Sequence, residues 1–264
     1  MTNNNYLKNF HKLCAEYDDN FVKGLSSKEI ERINSTSALI SRELIKGKVL
    51  DVGCRDGRIT NVLSSKYDVI GLDLGLESLK KVQKNKICAS IENLPFPDKT
   101  FDLVICTEVL EHLPSTVLRK GIEELKRVTK RFILVSVPFM ESLAKGYVLC
   151  LDCGKVYHQY GHLRSFNRRK LKGMFHGFNC KYSVLTGDMD AKWVGPLYHV
   201  LHSWCHTWAV PDVGLCPFCG FQNPRGAKVN LLRNSLIQRG IWRLEKISPF
   251  KQRNTIAILF EIKA

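Results

Sequence analysis

The stretch VLDVGCRDG, Val49 to Gly57, decides the fold. Apolar and β-branched residues surround one acid, and the run ends in a glycine-rich turn. RITNVLSSK, Arg58 to Lys66, reads as the helix that follows. The next apolar run, VIGLDL, leads to Asp73, 20 residues beyond Gly53. A strand, a glycine turn, a helix and a second strand closing on an acid make half of a nucleoside-binding sheet. The pattern names a ligand class before any substrate.

Outward from this stretch, strands and helices alternate. KVLDVG and DVIGLDL read as strands, ESLKKVQKN (77–85) as a helix and ICAS (87–90) as a short strand. FDLVICTE (101–108) is an almost wholly apolar run, suited to a buried parallel strand. VLRKGIEELKRVTK (117–130) has helical spacing, and RFILVSVP (131–138) is a strand. NRRKLKGMFHGF predicts a helix ending at Gly177, KYSVLTG (181–187) a strand and TIAILFEIK (255–263) the last strand. The alternation predicts an α/β fold with a parallel, doubly wound, Rossmann-like sheet. The expected organisation is a helical lead-in over 1–36 and a core over 37–187 and 255–264. An insertion at about 140–163 and a cap over 188–254 break the rhythm.

Hydrophobic residues make up 44% of the 264, enough for a full core. The longest apolar runs, such as Phe132 to Phe139, are far too short to span a bilayer. The N-terminus lacks the apolar centre of a signal peptide, so a cytoplasmic enzyme is expected. The net charge of +15 is uneven. Residues 1–149 hold 23 Lys/Arg against 19 Asp/Glu, and residues 150–264 hold 17 against 6. The basic C-terminal half is either a solvated face or a meeting place for RNA, a phosphorylated substrate or an anionic membrane surface.

Four of the ten cysteines form two pairs, Cys150-Leu-Asp-Cys153-Gly and Cys216-Pro-Phe-Cys219-Gly. Two residues between thiolates let both face one ion, and the glycine lets the main chain turn its amides toward sulfur. The pairs lie 62 residues apart, but both sit in insertions that leave the same edge of a parallel sheet. A closed, structural zinc site of Cys150, Cys153, Cys216 and Cys219, tying the two insertions over the active site, is expected. Alternatives are Cys150, Cys153, His158 and His162 as ligands, or two pairs without metal.

VLDVGCRDG, then GLDL, then NLPFPDKTFDLVICTEVLEHLP (Asn93 to Pro114), in this order and spacing, resemble the class I S-adenosylmethionine-dependent methyltransferases of the type 11-like group. The resemblance spans roughly residues 48–187 and the final strand. It implies a seven-stranded sheet with an antiparallel last strand, and S-adenosyl-L-methionine as cofactor. It assigns Asp51, Gly53 and Cys54 to the turn around the methionine part and Gly57 to close helix packing. Asp73 would accept from the ribose hydroxyls, with Leu74 beside it. Ser90 and Ile91 would flank the adenine, and Thr107 would line the cofactor. Two positions depart from the family: Arg55 stands where Gly is usual, and Ser90 where Asp is frequent. If position 55 needs a positive φ, arginine is strained there.

Methyl transfer leaves the protein to position the acceptor and remove its proton. Glu108, Glu111 and His112 would share one face if the segment were helical. With His162 they resemble the set in ubiquinone-pathway O-methyltransferases and in small-RNA 2′-O-methyltransferases, where magnesium binds the acceptor hydroxyls. Alternatively, His162 or His158 acts alone as general base. WVGPLYHVLHSWCHTWAV (Trp193 to Val210), with His199, His202 and His206, reads as an apolar lid helix or a metal pair. NLLRNSLIQRGIWRLEKISPF (230–250) could lie on a membrane surface or an anionic ligand. Three readings compete: methylation of a small-molecule or glycan-precursor acceptor, at oxygen; RNA methylation; and a non-enzymatic protein that kept the fold.

Overall fold

The apolar runs become strands in the computed structural model, which describes residues 27–191, 194–205, 215–221, 240, 241 and 243–263. The chain opens with α1 (Ser27–Ser41), β1 (Lys48–Val52), α2 (Arg58–Leu63), β2 (Asp68–Asp73), α3 (Leu76–Leu79) and β3 (Asn85–Cys88). It continues with β4 (Phe101–Thr107), α4 (Ser115–Val128), β5 (Thr129–Pro138), a 3-10 turn (Leu143–Gly146), β6 (Tyr147–Leu149) and β7 (Val156–His158). It ends with α5 (Arg168–Met174), β8 (Phe178–Asp190), α6 (Gly195–Cys205) and β9 (Gln252–Ile262).

Seven strands form one sheet in the order β3-β2-β1-β4-β5-β9-β8. β1 to β5 pair in parallel, and β9 runs antiparallel to β5 with Ala257 opposite Ser136. The inner strands are largely apolar, as suits a sheet covered on both faces by helices. Successive side chains alternate between two cores, as strand geometry requires. Leu50, Val52, Val104 and Ile133 pack with Leu118, Ile122 and Leu125 of α4 and Leu171 of α5. Val49, Leu103, Ile105 and Leu134 pack with Ile33 and Ile40 of α1 and with Ile59 and Leu63 of α2. The carboxyl ends of β1, β2 and β4 place Val52, Asp73 and Thr107 along one edge, where open α/β sheets bind ligands.

Two elements differ from expectation. The helix after β2 is one turn long, because Leu79 and Val82 are buried and no apolar residue follows at the next helical repeats. β8 runs on to Asp190, beyond the expected end at Gly187.

The chain divides into two compact units. The sheet with its helices is one, ending at Phe139 and resuming over 166–188 and 253–264. The other comprises 140–165 and 189–252. In it, β6 and β7 form an antiparallel hairpin with Val148 opposite Tyr157. Ala191, Val194 and Ile241 make a small separate cluster there. Lys145 pairs with both Asp190 and Glu245 at 2.6 Å. Residues 1–26 of the expected lead-in, Trp193, His206, Trp208 and residues 230–239 lie outside the described residues. No helix among the described residues is long and apolar enough to cross a membrane.

Candidate active site

The turn after β1 is fixed by main-chain bonds. The N–H groups of Gly53 and Cys54 both donate to the Leu72 carbonyl, at 2.7 and 3.1 Å. Gly53 has φ 74°, and a Cβ there would lie 2.3 Å from a Val109 methyl, so only glycine fits. Gly57, also at positive φ, starts α2. Between them Arg55 takes φ 51°. Its N–H donates to Asp73 Oδ2 at 2.8 Å, and the Gly75 N–H donates to Asp73 Oδ1 at 2.8 Å. Two loops therefore hold one carboxylate at the sheet edge. Each oxygen keeps a further lone pair, which suits a pair of neighbouring hydroxyls.

The left-handed conformation at Arg55 costs about 1 kcal/mol that glycine would not incur. Arg55→Gly keeps the N–H to Asp73. It should raise the thermal midpoint by about 2–4 °C at this chain size. A lower midpoint would show that the Arg55 side chain contributes more than its backbone costs.

Asp51 stands directly before this turn and is buried, 2% exposed. The Thr60 hydroxyl donates to its Oδ2 at 2.6 Å. Burial pushes the carboxyl up to about 6; Thr60 pulls against this, and the negative Asp73 adds to it. The native chain therefore keeps a proton over a pH range in which the unfolded chain, at about 3.8, has lost it. Stability should fall by about 3 kcal/mol as pH rises from about 4 to about 6 and stay level above. Asp51→Asn, whose amide oxygen still accepts from Thr60, should abolish that fall. Denaturant midpoints measured from pH 4 to 7 check this, and an unchanged slope in the variant would refute the assignment.

Other expected positions divide. Cys54 is buried and its thiol is pushed well above the usual range, chiefly by that burial. Leu74 is exposed beside Asp73, while Ser90 and Thr107 are half-buried. Ile91 packs into the core against Gly121, so it can offer only main chain to a ligand. The segment Glu108 to Leu113 is not helical, so the face expected of Glu108, Glu111 and His112 does not form. Glu108 takes φ 56°, and its carboxylate accepts from the Ser136 hydroxyl of β5 at 2.6 Å. Glu111 is fully buried, with Oε1 3.9 Å from His112 Nε2.

In the second unit the two cysteine pairs adopt the same fold. In each, the glycine has positive φ and its N–H donates to the carbonyl of the first cysteine. In each, the first cysteine's N–H donates to the carbonyl five residues on, Lys155 or Phe221. The four sulfurs converge, with Cys150 Sγ 3.6 Å from Cys219 Sγ and Cys153 Sγ 3.7 Å from Cys216 Sγ. A disulfide needs about 2.05 Å, and the thiols are free. A tetrahedron of Zn–S bonds of about 2.3 Å has an edge of about 3.8 Å. The donor set can thus hold a zinc-sized ion with little movement.

The same unit holds a group that the sequence did not reveal. Glu141 Oε2 lies 2.6 Å from His162 Nδ1, and Glu141 Oε1 lies 3.7 Å from His158 Nε2. The two imidazoles stack at 4.7 Å. Burial pushes His158 down to about 4; His162 adds to this and Glu141 opposes it. Gly146 makes room for that ring, since a Cβ there would lie 2.1 Å from Nε2.

A methyltransferase domain model matches residues 50–132. An uncharacterised protein of Methanocaldococcus jannaschii is 33% identical over 171 residues, 62% of this chain and 70% of that protein. An uncharacterised methyltransferase of Schizosaccharomyces pombe is 36% identical over 195 residues, and the chain spans 62% of its length, less than two thirds. Among solved structures, the N-methyltransferase NodS from Bradyrhizobium japonicum, in complex with S-adenosylhomocysteine, has the same fold. Its TM-score is 0.58 at 12% identity, over 98% of this chain and 100% of that one. With the glycine turn and the Asp73 cradle at the carboxyl edge of the sheet, these matches place the chain in the S-adenosylmethionine-dependent methyltransferases.

Proposed function

We propose that the chain methylates an oxygen of a small-molecule or glycan-precursor acceptor, with His162 as general base. One observation carries this reading: His162 is bound to a carboxylate, Glu141, at 2.6 Å. A hydroxyl is a poor nucleophile until its proton has somewhere to go, and a carboxylate-paired imidazole is suited to take it. The cofactor supplies an activated methyl group. Asp73, Asp51, Gly53 and Thr107 are assigned to hold it. The His162 imidazole would take the proton of the acceptor hydroxyl as its oxygen receives the methyl group that the bound cofactor would supply.

In a magnesium-assisted reading Glu108 would not be a ligand, because it is bonded to Ser136 and does not share a helical face with Glu111 and His112. Cys150, Cys153, Cys216 and Cys219 are assigned to one structural zinc ion. Four thiolates leave no open position, so this ion takes no part in the chemistry.

Transfer of labelled methyl from S-adenosylmethionine to a panel of phenols and sugars tests the reading. Methyl ethers are the expected products. His162→Gln should lower the rate about 100-fold and leave cofactor affinity unchanged. N-methyl products, or a variant as fast as wild type, would refute it. Salt-sensitive binding of total RNA, with RNA as the methylated product, would replace the small molecule with RNA.

A further inference from the structure

Near its end the second unit carries apolar side chains on the outward side of a helix. Residues 240, 241 and 243–247 are helical. The inward face is already filled. Ile241 is buried with Ala191 and Val194, Glu245 pairs with Lys145 at 2.6 Å, and Ser248 is buried. Their spacing of four and three is that of one helical face. Leu244 and Ile247 lie off that face and are 44% and 76% exposed. Phe250, just beyond the helix, is 80% exposed.

The turn that presents Phe250 is tied down. Pro249 ends the helix, because the residue before a proline is driven out of the helical region. The Phe250 N–H donates to Ser248 Oγ at 3.2 Å, and Lys251 Nζ donates to the Lys246 carbonyl at 2.8 Å. The aromatic ring is thus held out in water by its own turn. One exposed apolar residue is ordinary, but three between Leu244 and Phe250 form a patch.

We infer that this patch docks on an anionic membrane surface. The charges around it have the matching sign. Arg243 and Lys246 are exposed and Lys251 is half-buried, while Glu245, the acid of this stretch, is turned inward to Lys145. Residues 150–264 as a whole hold 17 Lys/Arg against 6 Asp/Glu. A protein partner fits less well. Lysine is depleted at the centres of protein interfaces, and three side chains offer at most a few hundred Å², short of the roughly 800 Å² per partner of a stable interface. A bilayer needs no shaped pocket. Apolar tips enter the headgroup boundary while lysine and arginine reach toward the phosphates. Docking of this patch depends on neither the acceptor nor His162.

The test mixes the full-length protein with sedimenting vesicles of phosphatidylcholine, alone or with about one third phosphatidylglycerol. The protein should pellet with the anionic vesicles and stay in solution with the neutral ones. Phe250→Ser should weaken binding about tenfold, and Arg243→Gln about fivefold at low salt. Deuterium exchange reads the same contact in the unaltered chain. Anionic vesicles should slow exchange over residues 243–252 and leave Phe101–Thr107 unchanged. Failure to pellet with anionic vesicles, equal binding to neutral ones, or Phe250→Ser binding as tightly as wild type would overturn the inference. So would dimerisation without lipid that Phe250→Ser abolishes, since the patch would then meet a second copy of the chain.

Discussion

One equivalent of zinc is expected on the purified protein, and Cys216→Ser should reduce it below about half an equivalent. The thiols of Cys150 and Cys216 are buried at 1% exposure, in a cluster completed by Val148 and Tyr157. Among the described residues, Cys153, Phe218 and Phe221 pack around it. A cluster of this size is smaller than the cores that stabilise domains by burial alone. Apparent binding energies of structural zinc in small peptides are about 10–16 kcal/mol at neutral pH, and where no preformed site exists that energy is folding energy. Chelation should therefore strip amide protection from Tyr147–Leu149 and Val156–His158 in hydrogen exchange. The amides of Phe101–Thr107, buried in the sheet, serve as the internal reference. Protein that is fully protected without bound metal would refute the assignment.

The halves of this site were legible in their local sequence, and their partnership only through topology, since both insertions are expected to leave the same edge of a parallel sheet. Each Cys-x-x-Cys-Gly spells out its own turn, down to glycines at φ 66° and 76°. Nothing local in either half says that Cys150 will meet Cys219. The sheet was legible for a similar reason: buried parallel strands are continuous apolar runs, and Phe101–Thr107 or Thr129–Pro138 could hardly be anything else. Glu108 to His112 departs from helical spacing because Glu108 takes φ 56°, outside the helical region. Pro114 caps α4 in an extended conformation, and the residue before a proline is driven out of the helical region. Glu108, freed from a helix, turns back to Ser136, 28 residues away. Glu141 and Thr60 escaped notice because their roles come from tertiary contacts, with His162 and Asp51, that no periodicity announces.

Asp73→Ala should weaken binding of S-adenosylhomocysteine by about 10²–10⁴-fold. A hydrogen bond to a charged group is worth about 1.5–3 kcal/mol, and two ribose hydroxyls on one carboxylate give about 3–6 kcal/mol. The substitution also removes the acceptor of the Arg55 and Gly75 N–H groups, both at 2.8 Å. Arg55 sits at positive φ, and its bond to Asp73 is part of what holds it there. Loss of affinity thus has two sources, lost ligand contacts and a loosened turn. Asp73→Asn separates them. Its one oxygen can still accept from the turn or from a hydroxyl but has no charge, so a loss of about tenfold is expected. Arg55→Gly then discriminates further. If the loosened turn dominates, glycine in the Asp73→Ala background recovers affinity, because it needs no partner to hold a positive φ. If the ribose contacts dominate, that double variant binds no better than Asp73→Ala. Calorimetric titration of the four proteins measures each case, and Asp73→Ala binding within threefold of wild type would remove the carboxylate from the cofactor site.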